Sequence, residues 1–345
     1  METLNARELD VLSIVVEGYI DKGTPVGSRY VAKKSKLNLS PATMRNVMAD
    51  LTEKGFLKQP HASAGRIPTK KGLRFYLNNI LKPEPLLYEK KKIKEYFNST
   101  VGYDFSQILE RTSRFISNET ALVGLAVSPE VSFMRWKHID FVLVKPGLVM
   151  AILVFEGGMV HSRLVAVEDL RINSDDLVKF SNFLNEKFSG KPLFEVKNQF
   201  LKEMEEAKKK FNELYINALT LAQYTCEAED EREIFVEGAH KVIGSIDPKD
   251  VERMKSLLEY IEKRSEFLKI LDKIEEGKGI FILFGNELFD PDLGEWSIIS
   301  SPYGVYGEPL GIIGTIGPIH MEYSKLIPMV DYMAKMLSKI LEARL

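Results

Sequence analysis

Ser40-Pro41-Ala42-Thr43-Met44-Arg45-Asn46-Val47-Met48-Ala49-Asp50-Leu51-Thr52-Glu53-Lys54-Gly55 carries a full set of helix signals. Ser40 is an N-cap residue, whose side-chain oxygen takes an otherwise unpaired backbone N–H, and Pro41 fills the first helical position, where its missing N–H costs nothing. Gly55 follows the last turn as a C′ residue. Met44, Val47, Met48 and Leu51 recur at i, i+3, i+4 and i+7 and so face a core, with Ala42, Arg45, Asn46 and Ala49 opposite. Small residues around one guanidinium and one amide suit a helix that approaches base edges closely. Arginine can bond guanine and asparagine can bond adenine, each in a bidentate fashion. The alternative is an ordinary solvent face, which carries Glu and Lys more often than Ala.

Upstream, Asn5 and Glu8 have capping-box spacing ahead of Leu9, Leu12, Ile14, Val15, Val16, Tyr19 and Ile20, a mostly buried helix that stops at Gly23. A Thr24-Pro25-Val26-Gly27 turn leads to Ser28, expected to cap a second helix through about Lys36. Downstream, Phe56 to Gln59 reads as a strand, Pro60 to Gly65 as a turn and Arg66-Ile67-Pro68 as the return. Thr69 then caps a helix carrying Leu73, Phe75, Tyr76, Leu77, Ile80 and Leu81. Helix, helix, capped third helix and hairpin are the order of a winged helix-turn-helix, which binds DNA or, in some cases, protein. Charge favours DNA. Residues 1–82 carry 14 Lys+Arg against 7 Asp+Glu, whereas residues 83–345 carry 33 against 42, a basic head on an acidic body. Only local contacts are expected within the head.

Pro25-Val26-Gly27-Ser28-Arg29, Ser40 to Asn46, Ala49-Asp50-Leu51 and Pro60-His61-Ala62-Ser63-Ala64-Gly65-Arg66-Ile67-Pro68-Thr69 together resemble the bacterial heat-inducible repressor family HrcA. The unusual hairpin sequence narrows the match from the many helix-turn-helix regulators to one family. The resemblance extends thinly to Gly317-Pro318-Ile319-His320-Met321-Glu322-Tyr323, where the family usually has Arg in place of His320, as it has Thr in place of Ala62. It implies a homodimeric repressor of chaperone genes, a double-stranded inverted-repeat operator, and activity supported by the GroE chaperonin. The expected DNA-binding set is Ser28, Arg29, Lys33, Lys34, Ser40, Ala42, Thr43, Arg45, Asn46, His61, Ser63, Arg66 and Lys70. Within it Arg45 and Asn46 should read bases, while Lys33, Lys34, Arg66 and Lys70 should hold phosphates and the minor groove.

Lys82-Pro83-Glu84-Pro85 is a stiff exit from the head, placing a linker and connecting helix at 83–104. Helices are expected at about 86–98 and 105–118, the second capped by Asp104, then strands at 122–127, 138–144, 148–155 and 159–167. Tight turns join the last three into an antiparallel meander. Ser174 should cap a helix to about Phe188. Residues 192–277 read as helical and charged: Phe200, Met204, Ala207, Phe211, Leu214, Ala218 and Leu221 step as a heptad seam, and Val251, Met254, Leu258, Ile261 and Leu268 share one face of a second helix. That seam is either a dimer contact, through Phe200, Met204, Phe211, Leu214 and Leu221, or an internal hairpin. Strands return at 280–284, 296–300 and 310–316, before a helix from about Tyr323. The expected fold is multidomain α+β: a winged helix-turn-helix at 1–82, an antiparallel sheet domain at 105–191 and 278–345, and a mainly helical dimerising insertion at 192–277. The resemblance makes the sheet domain GAF-like.

The longest apolar run, Leu148 to Phe155, is far short of the roughly 20 residues that cross a bilayer, and Glu2, Glu8 and Asp10 spoil a secretory signal, so no membrane role is expected. A single cysteine, Cys226, beside the acidic Glu227 to Glu231, gives neither a disulfide framework nor an activated nucleophile and points to a reducing cytoplasm. Histidines 61, 138, 161, 240 and 320 are scattered, and Gly307, Gly311, Gly314 and Gly317 form no phosphate-binding loop. No cofactor, metal or enzymatic activity is expected. Two competitors remain: a regulator whose GAF-like domain senses a small molecule, and an enzyme with a carboxylate site hidden in that domain.

Overall fold

Every backbone N–H at a helix start needs a partner, and the caps of this chain show where it finds one. The computed structural model describes residues 4–100, 102–167, 172–209, 213–226, 232–243, 279–288, 296–305 and 308–343, with single positions 255, 259 and 268. Helix α1 (Ala6–Lys22) opens on the Asn5/Glu8 capping box and closes on Gly23 in the left-handed conformation. α2 (Ser28–Lys34) has Gly27, not Ser28, at its N-cap and makes no side-chain cap bond. α3 (Pro41–Glu53) is capped by Ser40. A two-stranded hairpin, β1 (Leu57–Lys58) with β2 (Ile67–Pro68), leads to α4 (Lys70–Asn79), capped by Thr69.

The head does not close on itself. Val11, Leu12, Val15, Met44 and Leu51 belong to one apolar cluster with Phe284, Ile299, Met321, Tyr323, Leu326 and Val330. The expectation of purely local contacts in 1–82 is therefore corrected. The reason lies in α4, whose apolar residues exceed one face: Leu73 and Tyr76 turn inward, while Phe75 and Leu77 pack at the cluster's margin.

After α5 (Tyr88–Asn98), helix α6 (Phe105–Thr120) opens on an Asp104/Gln107 capping box. Its buried Thr112, Ser113 and Ser117 make a small-residue face against β3 (Val123–Val127). The approach is so close that a Cβ on Gly124 would lie 1.9 Å from the Ser113 carbonyl oxygen. β3 is the second strand of a five-stranded antiparallel sheet, flanked by β7 (Ile234–Glu237) on one side and β10 (Glu308–Pro318) on the other. β9 (Trp296–Val305) and β8 (Phe281–Phe284) complete it. Thr315 seals the β10–β3 pairing by donating to Val123 O at 2.9 Å. α11 (Tyr323–Glu342) packs across β9, and on the opposite face Leu268 joins Val123, Leu125, Trp296, Ile298 and Ile312. A short helix, α10 (Ala239–Ile243), follows β7.

Between β3 and β7 runs a second unit. β4 (Trp136–Lys145), β5 (Leu148–Phe155) and β6 (Val160–Ala166) form the expected meander, but as a sheet of their own. α7 (Ser174–Phe188), capped by Asn173 rather than Ser174, packs on β4, and its Asn185 mends a register shift there. The Asn185 Oδ1 accepts from Trp136 Nε1 at 3.1 Å and Ile139 N at 2.7 Å, while Nδ2 donates to Ile139 O at 2.9 Å. α8 (Leu193–Lys209) and α9 (Glu213–Cys226) pack on each other and belong to this unit.

Two expectations change accordingly. The single sheet domain of 105–191 and 278–345 is two sheets, and the segment looped out of the five-stranded one starts after β3, not at 192. β7, read as part of a helical block, is a sheet strand. A meander satisfies its own hydrogen-bond ladder, so its pattern carries no sign of which neighbouring unit it joins. Of the two alternatives for the seam, the packing agrees with the internal hairpin and not with the dimer contact: the seam is split over two helices, with Phe200 and Leu221 buried inside the chain, and Phe200 edge-on to Phe188 at 5.1 Å. Phe211, together with the side chains of Met204 and Leu214, lies outside the described residues, as do Val251, Met254, Leu258 and Ile261.

Candidate nucleic-acid interface

The Ser40 Oγ accepts the Thr43 N–H at 3.1 Å and lies 3.0 Å from the Thr43 hydroxyl, so both side chains serve the start of α3. Met44, Met48 and Leu51 are buried and Val47 is half-buried. The opposite face is open: Ala42, Arg45 and Asn46 are exposed, with Ala49 half-buried. Along α2, Arg29, Lys33 and Lys34 are exposed and Ser28 is half-buried. Ser35, just after α2, donates to Asp10 on α1 at 2.6 Å and fixes the pair of helices.

The hairpin is built to present its tip. Gln59 Nε2 donates to the carbonyls of Ala62 and Ala64 at 2.9 and 3.0 Å, holding a turn on which His61 and Ser63 are exposed. Arg66 exchanges two backbone hydrogen bonds of 2.8 Å with Val26, adding a third extended segment at the base. Gly65 is required by that contact, because a Cβ there would sit 2.3 Å from Val26 O. The Arg66 Nε donates to Thr52 Oγ1 at 3.1 Å, tying the hairpin to α3. On the far side of α3, Lys54 meets the buried Glu8 at 2.6 Å. That bond, the Asn5 backbone and the Lys54 charge together hold the Glu8 carboxyl below the usual carboxylate range against the effect of burial.

The structure thus brings Arg29, Lys33, Lys34, Ala42, Arg45, Asn46, His61 and Ser63 to exposed positions on α2, α3 and the hairpin. Lys70 is placed differently. It lines a cleft of about 370 Å³ with Lys58, Tyr19 and Ile319, where burial and then the neighbouring Lys58 lower its ammonium pKa, partly opposed by Glu287. Sequence reading missed Lys58 and the bracing role of Gln59, although a glutamine directly before a Pro-Gly turn segment is a fair signal for a side chain that bonds turn carbonyls. Among the described residues no group of His, Cys, Asp and Glu could hold a metal ion, and no helix is long and apolar enough to cross a membrane. Cys226 is buried on α9.

Residues 106–327 match the model of the HrcA protein C-terminal domain. The heat-inducible transcription repressor HrcA of Syntrophobacter fumaroxidans is 39% identical over 99% of both chains. This chain belongs to the HrcA family. The HrcA of Nitratidesulfovibrio vulgaris Miyazaki F is 38% identical, covering 100% of this chain and 98% of its own, and that of Geobacter sulfurreducens is 36% identical over 99% of each. A crystal structure described as that of a hypothetical protein superposes with a TM-score of 0.62 at 22% identity, covering 99% of this chain and 100% of the other, and so shares its fold. HrcA proteins are transcription repressors, not enzymes.

Proposed function

We propose that this HrcA protein acts as a cytoplasmic homodimer that represses heat-shock chaperone genes by gripping an inverted-repeat operator with two winged-helix heads. Residues 1–82 are the DNA-binding head, joined through 83–104 to a GAF-like five-stranded domain. The observation that carries the reading is the outer face of α3, where Ala42, Arg45 and Asn46 stand exposed on a helix capped by Ser40 and Pro41. Arg45 and Asn46 read base edges there. Arg29, Lys33, Lys34 and the hairpin residues His61, Ser63 and Arg66 fix the register on phosphates and the minor groove, with Ser28, Ser40 and Thr43 at the helix starts. The basic head and acidic body orient the approach.

The dimer contact moves from the α8/α9 seam to the outward face of the three-stranded sheet. Val142, Met150 and Leu164 stand in one cross-strand row there, and Val154 and Val160 in another. Val142, Val144, Val160 and Leu164 are 49–54% exposed, an apolar surface that a second copy covers by two-fold symmetry. That symmetry is the one an inverted repeat presents. The GroE chaperonin is the partner that maintains the active repressor. Footprinting of the purified chain on promoters of its own chaperone genes tests the reading. Protection of an inverted repeat that unrelated DNA does not displace supports it, and uniform, salt-labile coating of every fragment overturns it.

A further inference from the structure

The head is held by its rear. Arg74 on α4 reaches 213 positions along the chain to Glu287, donating from Nη2 to both carboxylate oxygens at 2.7 and 2.6 Å. Its Nη1 donates to the Ile282 carbonyl at 3.2 Å, and its guanidinium lies over the Phe284 ring at 4.8 Å. Glu287 is itself fixed, accepting the Phe284 N–H at 2.9 Å. Four contacts on one planar group determine an angle as well as a distance, which a lysine ammonium in the same place could not do. A second support lies beside it, in the segment around His320 that sequence comparison singled out. Met321 and Tyr323 are buried in the head's own apolar cluster, Tyr323 donates to Ile319 O at 3.0 Å, and His320 meets Tyr19 edge-on with ring centres 5.8 Å apart. Gly23, which ends α1, leaves room for that imidazole: a Cβ there would be 3.3 Å from His320 Nε2.

Neither support touches the exposed face of α3, so neither has a part in contacting bases. We infer that Arg74, clamped by Glu287 and backed by the Ile319–Tyr323 segment, is a positioning residue that sets the angle of the DNA-binding head on the body and thereby the half-site spacing the repressor accepts. This rests on the operator reading above. Two heads rigidly mounted on one dimer present their α3 helices at a single separation, so an operator with the matching spacer is bound by both heads without further ordering. Loosely mounted heads bind each half-site as well but lose the advantage of the pair.

The test uses the full-length chain. Spin labels on Asn78→Cys and Lys339→Cys, exposed positions on α4 and α11, report the head-to-body distance in samples diluted with unlabelled protein; Cys226 is buried and stays unlabelled. In parallel, affinity is measured for a single half-site and for full operators whose spacer is varied base pair by base pair. Wild type should give one narrow distance and one preferred spacer. Arg74→Ala and the milder Glu287→Gln should broaden the distance and flatten the spacer preference. Affinity for the preferred operator should fall about tenfold while half-site affinity holds. Circular dichroism confirms folding, and Glu287→Gln carries the test if Arg74→Ala does not fold. A narrow, unmoved distance in the folded variant overturns the clamp. A broadened distance with an unchanged spacer profile overturns the spacing role. A wild-type chain that protects no inverted repeat overturns the operator reading and the spacing role with it, and the distances still decide the clamp.

Discussion

Arg45 and Lys33 are both exposed cations on the head, yet they differ in what they can recognise. A guanidinium on a helix face flanked by Ala42 and Asn46 can fork onto one base, whereas an ammonium on α2 meets any phosphate as a point charge. Arg45→Ala is therefore expected to cost about 1–3 kcal/mol on the operator and to relax preference at one base pair. Lys33→Ala should weaken all sequences alike and lower the salt slope by about one unit. Fluorescence anisotropy on operator and scrambled duplexes at several salt concentrations separates the two, and equal operator affinity for Arg45→Ala and wild type would remove Arg45 from the base-reading role. Glu8 gives a prediction in pH. Its carboxyl is held below the ordinary value of 4.5, first by Lys54 and then by the Asn5 backbone, so the folded state favours its ionised form. That stability is fully present above the unfolded value, falls away as pH drops below about 4.5, and is gone once pH passes the lowered folded value. Glu8→Gln should flatten this part of the urea-midpoint profile below pH 4.5 while leaving its remainder in place.

At the scale of the element, caps and close approaches carry most of the specificity. Gly72 and Gly124 have no left-handed backbone to explain them; they are glycines because a Cβ would lie 2.1 Å from Phe56 O and 1.9 Å from Ser113 O respectively. Gly72→Ala tests this cleanly, since alanine is favoured over glycine inside a helix by about 1 kcal/mol. The clash should nevertheless win, so that both Gly72→Ala and Gly124→Ala lower thermal stability by about 1–3 kcal/mol. A rise in melting temperature for Gly72→Ala would show that the backbone gives way there. The apolar face of β4–β6 is tested by Leu164→Asp, which should yield a folded monomer in sedimentation, bound to a half-site but weakly to a full operator. An unchanged dimer would remove this face as the contact. Asn5, Ser40, Pro41, Gly55, Thr69 and Asp104 were legible in the sequence because a cap is a local event whose partners lie within a few residues. The exposed face of α3 was legible for the same reason. β7 was not: four residues within a charged stretch carry too little alternation to register, and only pairing with β3, more than a hundred positions away, makes them a strand.

Over the whole molecule, the contacts that matter most are the ones no local pattern encodes. β3 pairs with β10 across everything that lies between them in the chain, Thr315 to Val123 spanning 192 positions, and Arg74 to Glu287 spans 213. The sequence showed a basic head, an acidic body and strands on either side of a helical stretch. It could not show that the head would share its core with Phe284, Tyr323 and Val330, because burial of a surplus apolar face names no partner. Folding feels the same distance. The five-stranded sheet cannot close until β8–β10 have been made, and until then β3 lacks its β10 partner and part of its cover, a condition that favours slow folding and edge-to-edge association. The head is tied to this schedule, since part of its core is supplied by the C-terminal helix. Chaperonin dependence should therefore appear as a concentration-dependent loss of operator-binding yield when the full chain is diluted from denaturant, restored when chaperonin is present. Because the head borrows its cover from α11, near-ultraviolet signals from head tyrosines should recover together with those of the body rather than before them. Quantitative unaided refolding at micromolar concentration and growth temperature would place chaperonin control on the folded repressor instead. Early, independent recovery of the head would mean that the shared core is assembled by docking two finished units.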